Sequence, residues 1–230
     1  RQRQMCIRDR SRGLAEQTLL DTYTAERRPH VQQVVETAKS FGLIIGELDE
    51  PAARLRDQRL QADLESGAAQ TVRQAFIPGL TAGLLQFSKA DVLADGAGQL
   101  FPQPWVSGPG LPRTRLDDVT RGRFYLVCED AQWVRQANAL FVGSTCLFGG
   151  RVVCLDGPDN AAVQNDAVYC TEEGSFITDW LQRYNAVAAL VRPDGVAFGV
   201  AVDGESLQAL IADADRQLAN LPVAEEVLVN

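Results

Sequence analysis

Apolar residues recur at spacings of three and four through the first third of the chain and shift to short, continuous runs in the last half. From Leu14 to Arg28 the residues are strong helix formers, with Leu19, Leu20, Tyr23 and Arg27 near one face. Pro29 is expected to end or kink that helix and to suit the first turn of the next. Val31, Val34, Val35, Ala38, Phe41, Gly42 and Ile45 then form an amphipathic stripe. Asp49, Glu50 and Pro51 predict a new helix start, with acidic groups facing the positive end of the dipole. The following stretch, Ala52 to Ser66, is charged throughout and offers only Leu55, Leu60 and Leu64 to a partner. These helices are too one-sided to close a core by themselves, unless they form a hairpin on the carboxy-terminal half.

Between Phe76 and Arg115 eleven glycines and prolines, from Pro78 to Pro112, break any long element. The stretch reads as a linker with one or two short extended pieces around Gln99 to Val106, and its length suits a segment laid along a larger body. Beyond it, Gly122–Cys128 predicts a strand and Ala131–Val142 a helix, with Trp133, Val134, Ala137, Leu140 and Phe141 at helical spacing. Arg151–Leu155 predicts a second strand and Phe176–Tyr184 a second helix. Ala186–Val191 and Val196–Ala201 flank Arg192-Pro-Asp-Gly195, a hairpin turn in which Pro presets one dihedral and Gly accepts a positive one. Leu207, Leu210, Ile211, Ala214, Leu218 and Leu221 make one face of a closing helix. The order β-α-β-α-β-β-α matches the thioredoxin-like fold, so the fold class is α/β (α+β overall), a helical segment followed by a thioredoxin-like domain.

Composition excludes more than it identifies. The formal net charge of −8 repels nucleic acid and anionic membranes alike. No apolar run approaches the roughly 20 residues that span a bilayer, and the arginine-rich start lacks the apolar stretch of a signal peptide. Five cysteines (Cys6, Cys128, Cys146, Cys154, Cys170) without CxxC spacing suit reduced thiols in a cytoplasm. One histidine, His30, makes a His-based metal site improbable, and no Ser–His–Asp or Cys–His arrangement can be placed around it. It reads as a partly exposed residue at a helix start. Glu26, Arg27 and Arg28 read as helix-surface or inter-element ion pairs. Residues 1–11 (RQRQMCIRDRS) have no periodicity and are expected to be a non-native or disordered tail, either translated sequencing-adapter read-through or a genuine basic extension.

At the position where a thioredoxin carries paired cysteines, this chain reads Cys128-Glu129-Asp130-Ala131-Gln132. Two carboxylates beside the thiol would raise its pKa and oppose disulfide exchange. Cys146, Cys154 and Cys170 read as small core or loop residues.

Two segments carry a family resemblance. The run Leu19 to His30 (LLDTYTAERRPH) resembles the segment that follows the flavin-binding core in group A FAD-dependent aromatic monooxygenases. The run Trp180 to Gly195 (WLQRYNAVAALVRPDG) is similar to a signature of the carboxy-terminal thioredoxin-like domain of aromatic-ring hydroxylases, 3-(3-hydroxyphenyl)propionate hydroxylases among them. VRPDG is weak by itself; both segments, in this order, are more specific.

The resemblance implies a division into residues 12–75, the helical end of an FAD-binding domain; 76–115, the Pro/Gly-rich linker; and 116–230, a thioredoxin-like domain lacking CxxC. It also implies a parent enzyme that uses FAD and NAD(P)H to hydroxylate a phenolic small molecule. The GxGxxG turn that would hold the FAD pyrophosphate does not occur here, and neither does the family's Gly-Asp segment. The chain is therefore expected to be inactive and to bind no cofactor, and no catalytic, cofactor-binding or metal residue is assigned. A non-catalytic docking or homo-oligomerisation module is the alternative, and a redox-active thioredoxin or peroxiredoxin relative is a third reading.

Overall fold

The computed structural model describes residues 19–68, 78–88, 92–144, 147, 150–156 and 167–219. The tail at 1–11, Cys6, Cys146 and Leu221, and the side chains of Leu19, Leu20 and Tyr23, lie outside that description. The chain divides into two compact units, one of Arg27–Leu80 and the other of the remainder, with Glu26 in the second.

The first helix, α1 (Leu19–Ile45), passes through Pro29, so of the two outcomes expected there, an end or a kink, the end does not occur. Proline removes one i→i−4 hydrogen bond, but strong helix formers on both sides keep the remaining ladder, so the loss stays local. Helix α2 (Glu50–Glu65) begins as expected: the Asp49 carboxylate accepts from the Ala52 amide at 3.1 Å, and Pro51 occupies the first turn. α2 buries none of its residues, and Val31, Val34, Val35, Phe41, Leu43 and Ile45 of α1 are exposed.

The larger unit is a three-layer α/β/α sandwich. Its sheet has the order β5-β4-β3-β7-β8, built from β3 (Tyr125–Asp130), β4 (Arg151–Asp156), β5 (Ala167–Tyr169), β7 (Ala188–Val191) and β8 (Ala197–Ala201). β3, β4 and β5 are parallel, and β7 and β8 turn back antiparallel. Alternation divides the side chains. Leu126, Cys128, Val152, Leu190 and Phe198 face α4 (Gln132–Gly143) and α6 (Gly204–Ala219). Tyr125, Val127, Val153, Ala189 and Val191 face α5 (Phe176–Arg183) through Ile177, Trp180 and Leu181.

The thioredoxin-like order is present, with two strands between β4 and α5: the edge strand β5, and β6 (Thr171–Glu172). β3 begins at Tyr125, later than its predicted start, because Arg121 (φ 53°) and Gly122 (φ 61°) reverse the chain after α3 (Leu116–Thr120). β6 joins a hairpin of β1 (Trp105–Gly108) and β2 (Leu111–Arg115) in a second sheet of order β2-β1-β6. The Pro/Gly-rich stretch thus supplies the strands of that hairpin. Just upstream, the Ala197 amide donates to the Gln99 carbonyl and the Phe101 amide to the Gly195 carbonyl, each at 2.9 Å. The Phe101 ring is buried between Tyr125 and Trp180, at centroid distances of 6.2 and 4.9 Å. Among the described residues, no helix is long and apolar enough to cross a membrane.

Candidate functional site

The β7–β8 turn sets one constellation. The Gly195 amide donates to the Arg192 carbonyl at 2.9 Å, and Gly195 takes φ 85°, which favours glycine. The tight turn puts Arg192 and Asp194 on the same side, with Arg192 Nη2 donating to Asp194 Oδ2 at 2.8 Å. The guanidinium then meets Glu26 of α1 in a two-pronged pair: Nη1 to Oε1 at 2.8 Å and Nη2 to Oε2 at 2.9 Å. Nη1 also donates to the Leu84 carbonyl at 3.0 Å, and the Leu84 amide donates to Glu26 Oε1 at 3.0 Å.

Arg192 and Glu26 are each 1% exposed and Asp194 5%, so one cation serves two carboxylates in a water-poor site. Burial opposes the charge on Arg192, but Asp194 and Glu26 outweigh it and hold its pKa above the ordinary arginine value. Gly83 makes room for the pair. It takes φ 98°, and a β-carbon there would fall 2.1 Å from Glu26 Cγ.

Glu26 is therefore the inter-element ion pair expected from sequence, not a helix-surface one. Its partner was missed, although an arginine closing the apolar run Ala186–Val191 was a signal, since arginine is rarely buried unless paired.

His30 lies within α1, not at a helix start. Arg27 Nη1 donates to its Nδ1 at 3.0 Å, and burial followed by the Arg27 charge lowers its pKa. Arg28 is exposed.

The thioredoxin position is chemically quiet. Cys128 is fully buried, in register with Cys154 on β4, and its Sγ lies 3.6 Å from the Val153 carbonyl. A hydrogen bond with Cys154, then burial, then the neighbouring Cys154 and Asp130 push its pKa up. Asp130 Oδ1 accepts from the Gln132 amide at 2.8 Å, so the start of α4 already serves a carboxylate. Burial, with Cys154 and Glu172, pushes Cys170 up to about 12. Cys128, Cys154 and Cys170 are buried thiols outside any disulfide. No group of three His, Cys, Asp or Glu among the described residues could hold a metal ion.

Two consequences can be measured. With Cys6 and Cys146 replaced by serine, the native chain should leave Ellman's reagent nearly uncoloured near about pH 8, and unfolding should release three thiols. Rapid colour from the folded chain would contradict the burial. The neutral Cys170 thiol also contributes stability that is complete below its ordinary pKa of 9.0 and is lost as pH rises towards about 12. Unfolding free energy should decline across that window, and Cys170→Val should flatten the decline.

Comparison with known proteins places this fold. A family profile, the HcaD C-terminal domain, matches residues 98–217. The chain belongs to that family. The match takes in β1 through most of α6, including the Arg192 turn.

This HcaD C-terminal domain chain is 30% identical over 208 residues to the probable NADH-specific resorcinol 4-hydroxylase of Rhodococcus jostii (strain RHA1), covering 89% of the chain and 36% of that protein. It is 28% identical over 188 residues to the 3-(3-hydroxy-phenyl)propionate/3-hydroxycinnamic acid hydroxylase 2 of Burkholderia vietnamiensis, covering 76% of the chain and 34% of that protein. The chain thus spans about a third of the length of these curated relatives.

Among solved structures, the flavin-dependent monooxygenase PieE, in complex with FAD and substrate, shares the fold at a TM-score of 0.59 and 22% identity. That match covers 95% of this chain and 42% of PieE. Aklavinone-11 hydroxylase, in a ternary complex with FAD and aklavinone, shares it at 0.51 and 21%, covering 92% and 37%. The relatives are aromatic hydroxylases, and the fold is that of the carboxy-terminal part of FAD-dependent monooxygenases.

Proposed function

We propose that this chain is the carboxy-terminal part of an FAD- and NAD(P)H-dependent monooxygenase that hydroxylates a phenolic ring, and that by itself it is inactive. The observation that carries this reading is the similarity to a resorcinol hydroxylase over 89% of this chain but 36% of the relative. The proposed division is 12–75 from the flavin domain, 116–230 as the appended domain and 76–115 joining them. A reduced, cytoplasmic setting accords with the buried thiols.

FAD does not fit the residues described. A dinucleotide pyrophosphate needs glycines and open amides where a strand turns into a helix. At the β3–α4 turn it would meet Glu129 and Asp130, with the Gln132 amide already donating to Asp130. Gly96 and Gly98 both have positive φ, but they lie in a turn between isolated bridges rather than between a strand and a helix. The flavin would supply the oxygen-transfer chemistry in the parent enzyme. The residues of this chain would fix the structure beside it, with Glu26 and Arg192 as the joint.

A non-catalytic docking or homo-oligomerisation role is the second reading, favoured by the exposed apolar positions Val31, Val34, Val35 and Phe41 on α1. The test is spectroscopic and enzymatic. Purified chain incubated with FAD and desalted should show no flavin absorbance and no resorcinol-dependent NADH oxidation. A longer reading frame carrying a GxGxxG unit and a Gly-Asp segment upstream should show both. Stoichiometric FAD on the present chain would overturn the proposal.

A further inference from the structure

A cavity of about 280 Å³ opens between the β1–β2 hairpin, α3 and the edge strand β5, on a part of the thioredoxin-like layer to which no role has been given. Its apolar wall is made by Leu111 of β2, Val119 of α3 and Val168 of β5, the last two buried. Arg121 and Arg151 also line it, as does Tyr169, whose side chain packs against the core on the other face of the sheet. One acidic residue, Asp118, also lines it, at 3.4 Å from the Thr114 hydroxyl. Arg121, Arg151 and Asp118 thus give the cavity charged groups of both signs.

Arg121 is placed there by an uncommon backbone. It caps α3 at φ 53°, in the left-handed region where glycine is usual, and Gly122 follows at φ 61°. Its side chain is exposed, and among the described residues no hydrogen bond or ion pair engages it. Arginine forks recognise carboxylates by paired hydrogen bonds. The volume falls just under the roughly 300–1,000 Å³ of sites for drug-sized molecules, which limits the apolar part of a ligand to about one ring.

We propose that this cavity is a binding site for a small monocyclic aromatic carboxylate, its ring against Leu111, Val119 and Val168 and its carboxylate at Arg121. The site is independent of the flavin, so its occupancy can be tested on the present chain whatever becomes of the monooxygenase reading.

The experiment is a titration of isotopically labelled chain followed by amide NMR, with benzoate as the probe. Benzamide serves as the uncharged isostere and acetate as the anion without a ring. Benzoate should produce saturable shifts at Gly110, Arg121 and Tyr169, and both controls should bind at least about tenfold more weakly. Arg121→Gly keeps a residue suited to the left-handed cap while removing the guanidinium, so it should fold as well as the parent yet bind benzoate about tenfold or more weakly. Arg121→Gln should lose binding to a similar degree. Absence of saturable shifts, equal binding of benzamide or acetate, shifts centred elsewhere, or undiminished binding by the folded Arg121→Gly chain would each overturn the assignment.

Discussion

Arg192→Ala should lower the unfolding free energy by about 3–5 kcal/mol, read from urea unfolding followed by circular dichroism. The size follows from what is left behind. Glu26 and Asp194 would remain as carboxylates at 1% and 5% exposure with no cation, and the Leu84 carbonyl would lose a donor. Removing one partner of a buried pair costs far more than the pair is worth net, because desolvation of the survivor is no longer offset. Glu26→Gln keeps the shape and a hydrogen-bond acceptor and should cost less. A double-mutant cycle between positions 26 and 192 should show coupling of about 1–3 kcal/mol, since the two side chains are in direct contact. A loss below about 1 kcal/mol for Arg192→Ala, typical of exposed ion pairs, would mean that water reaches the pair.

Phe198→Ala should cost about 3–5 kcal/mol by the same measurement. Phe198 is fully buried in β8, on the face shared with Leu126, Leu190, Leu207 and Leu210. Truncation removes the transfer free energy of the ring and leaves a cavity that the strands around it cannot fill by small shifts. Val202→Ala, directly after β8 but 48% exposed, is the control and should stay within about 0.5 kcal/mol. Similar losses for the two variants would mean that β8 does not present Phe198 to the core. These two losses differ in origin: one uncovers charge, the other uncovers apolar surface.

That difference also separates what was legible in the sequence from what was not. The core faces were legible because burial repeats with the period of the element. The spacings at Val134, Ala137 and Phe141, and at Leu207, Leu210, Ile211 and Ala214, are the spacings by which α4 and α6 cover the sheet. The Arg192-Pro-Asp-Gly195 turn was legible because glycine and proline restrict the backbone locally. The direction of the Cys128 shift was legible too, but its leading causes, the contact with Cys154 and burial, were not, and of the two nearby carboxylates only Asp130 contributes.

Other features needed the folded chain. The β1–β2 hairpin lies in a stretch whose prolines and glycines suggested a connection, because its pairing with β6 joins residues far apart in sequence. β5 is three residues long and shows its strand character only beside β4. Continuity through Pro29 reflects the helix on either side of it, which outweighs the local preference of one residue.

The sequence by itself determined the thioredoxin-like order, the hairpin turn, the lack of paired cysteines and the two segments that mark the family. Each element of these is set by residues within a few positions of one another. Only the tertiary structure decided that those two segments meet, with Glu26 and Arg192 forming one buried pair across 166 positions. The physical reason is that hydrophobic periodicity reports which face of an element is covered, whereas a charge reports nothing of its partner until the fold has brought the two out of water together.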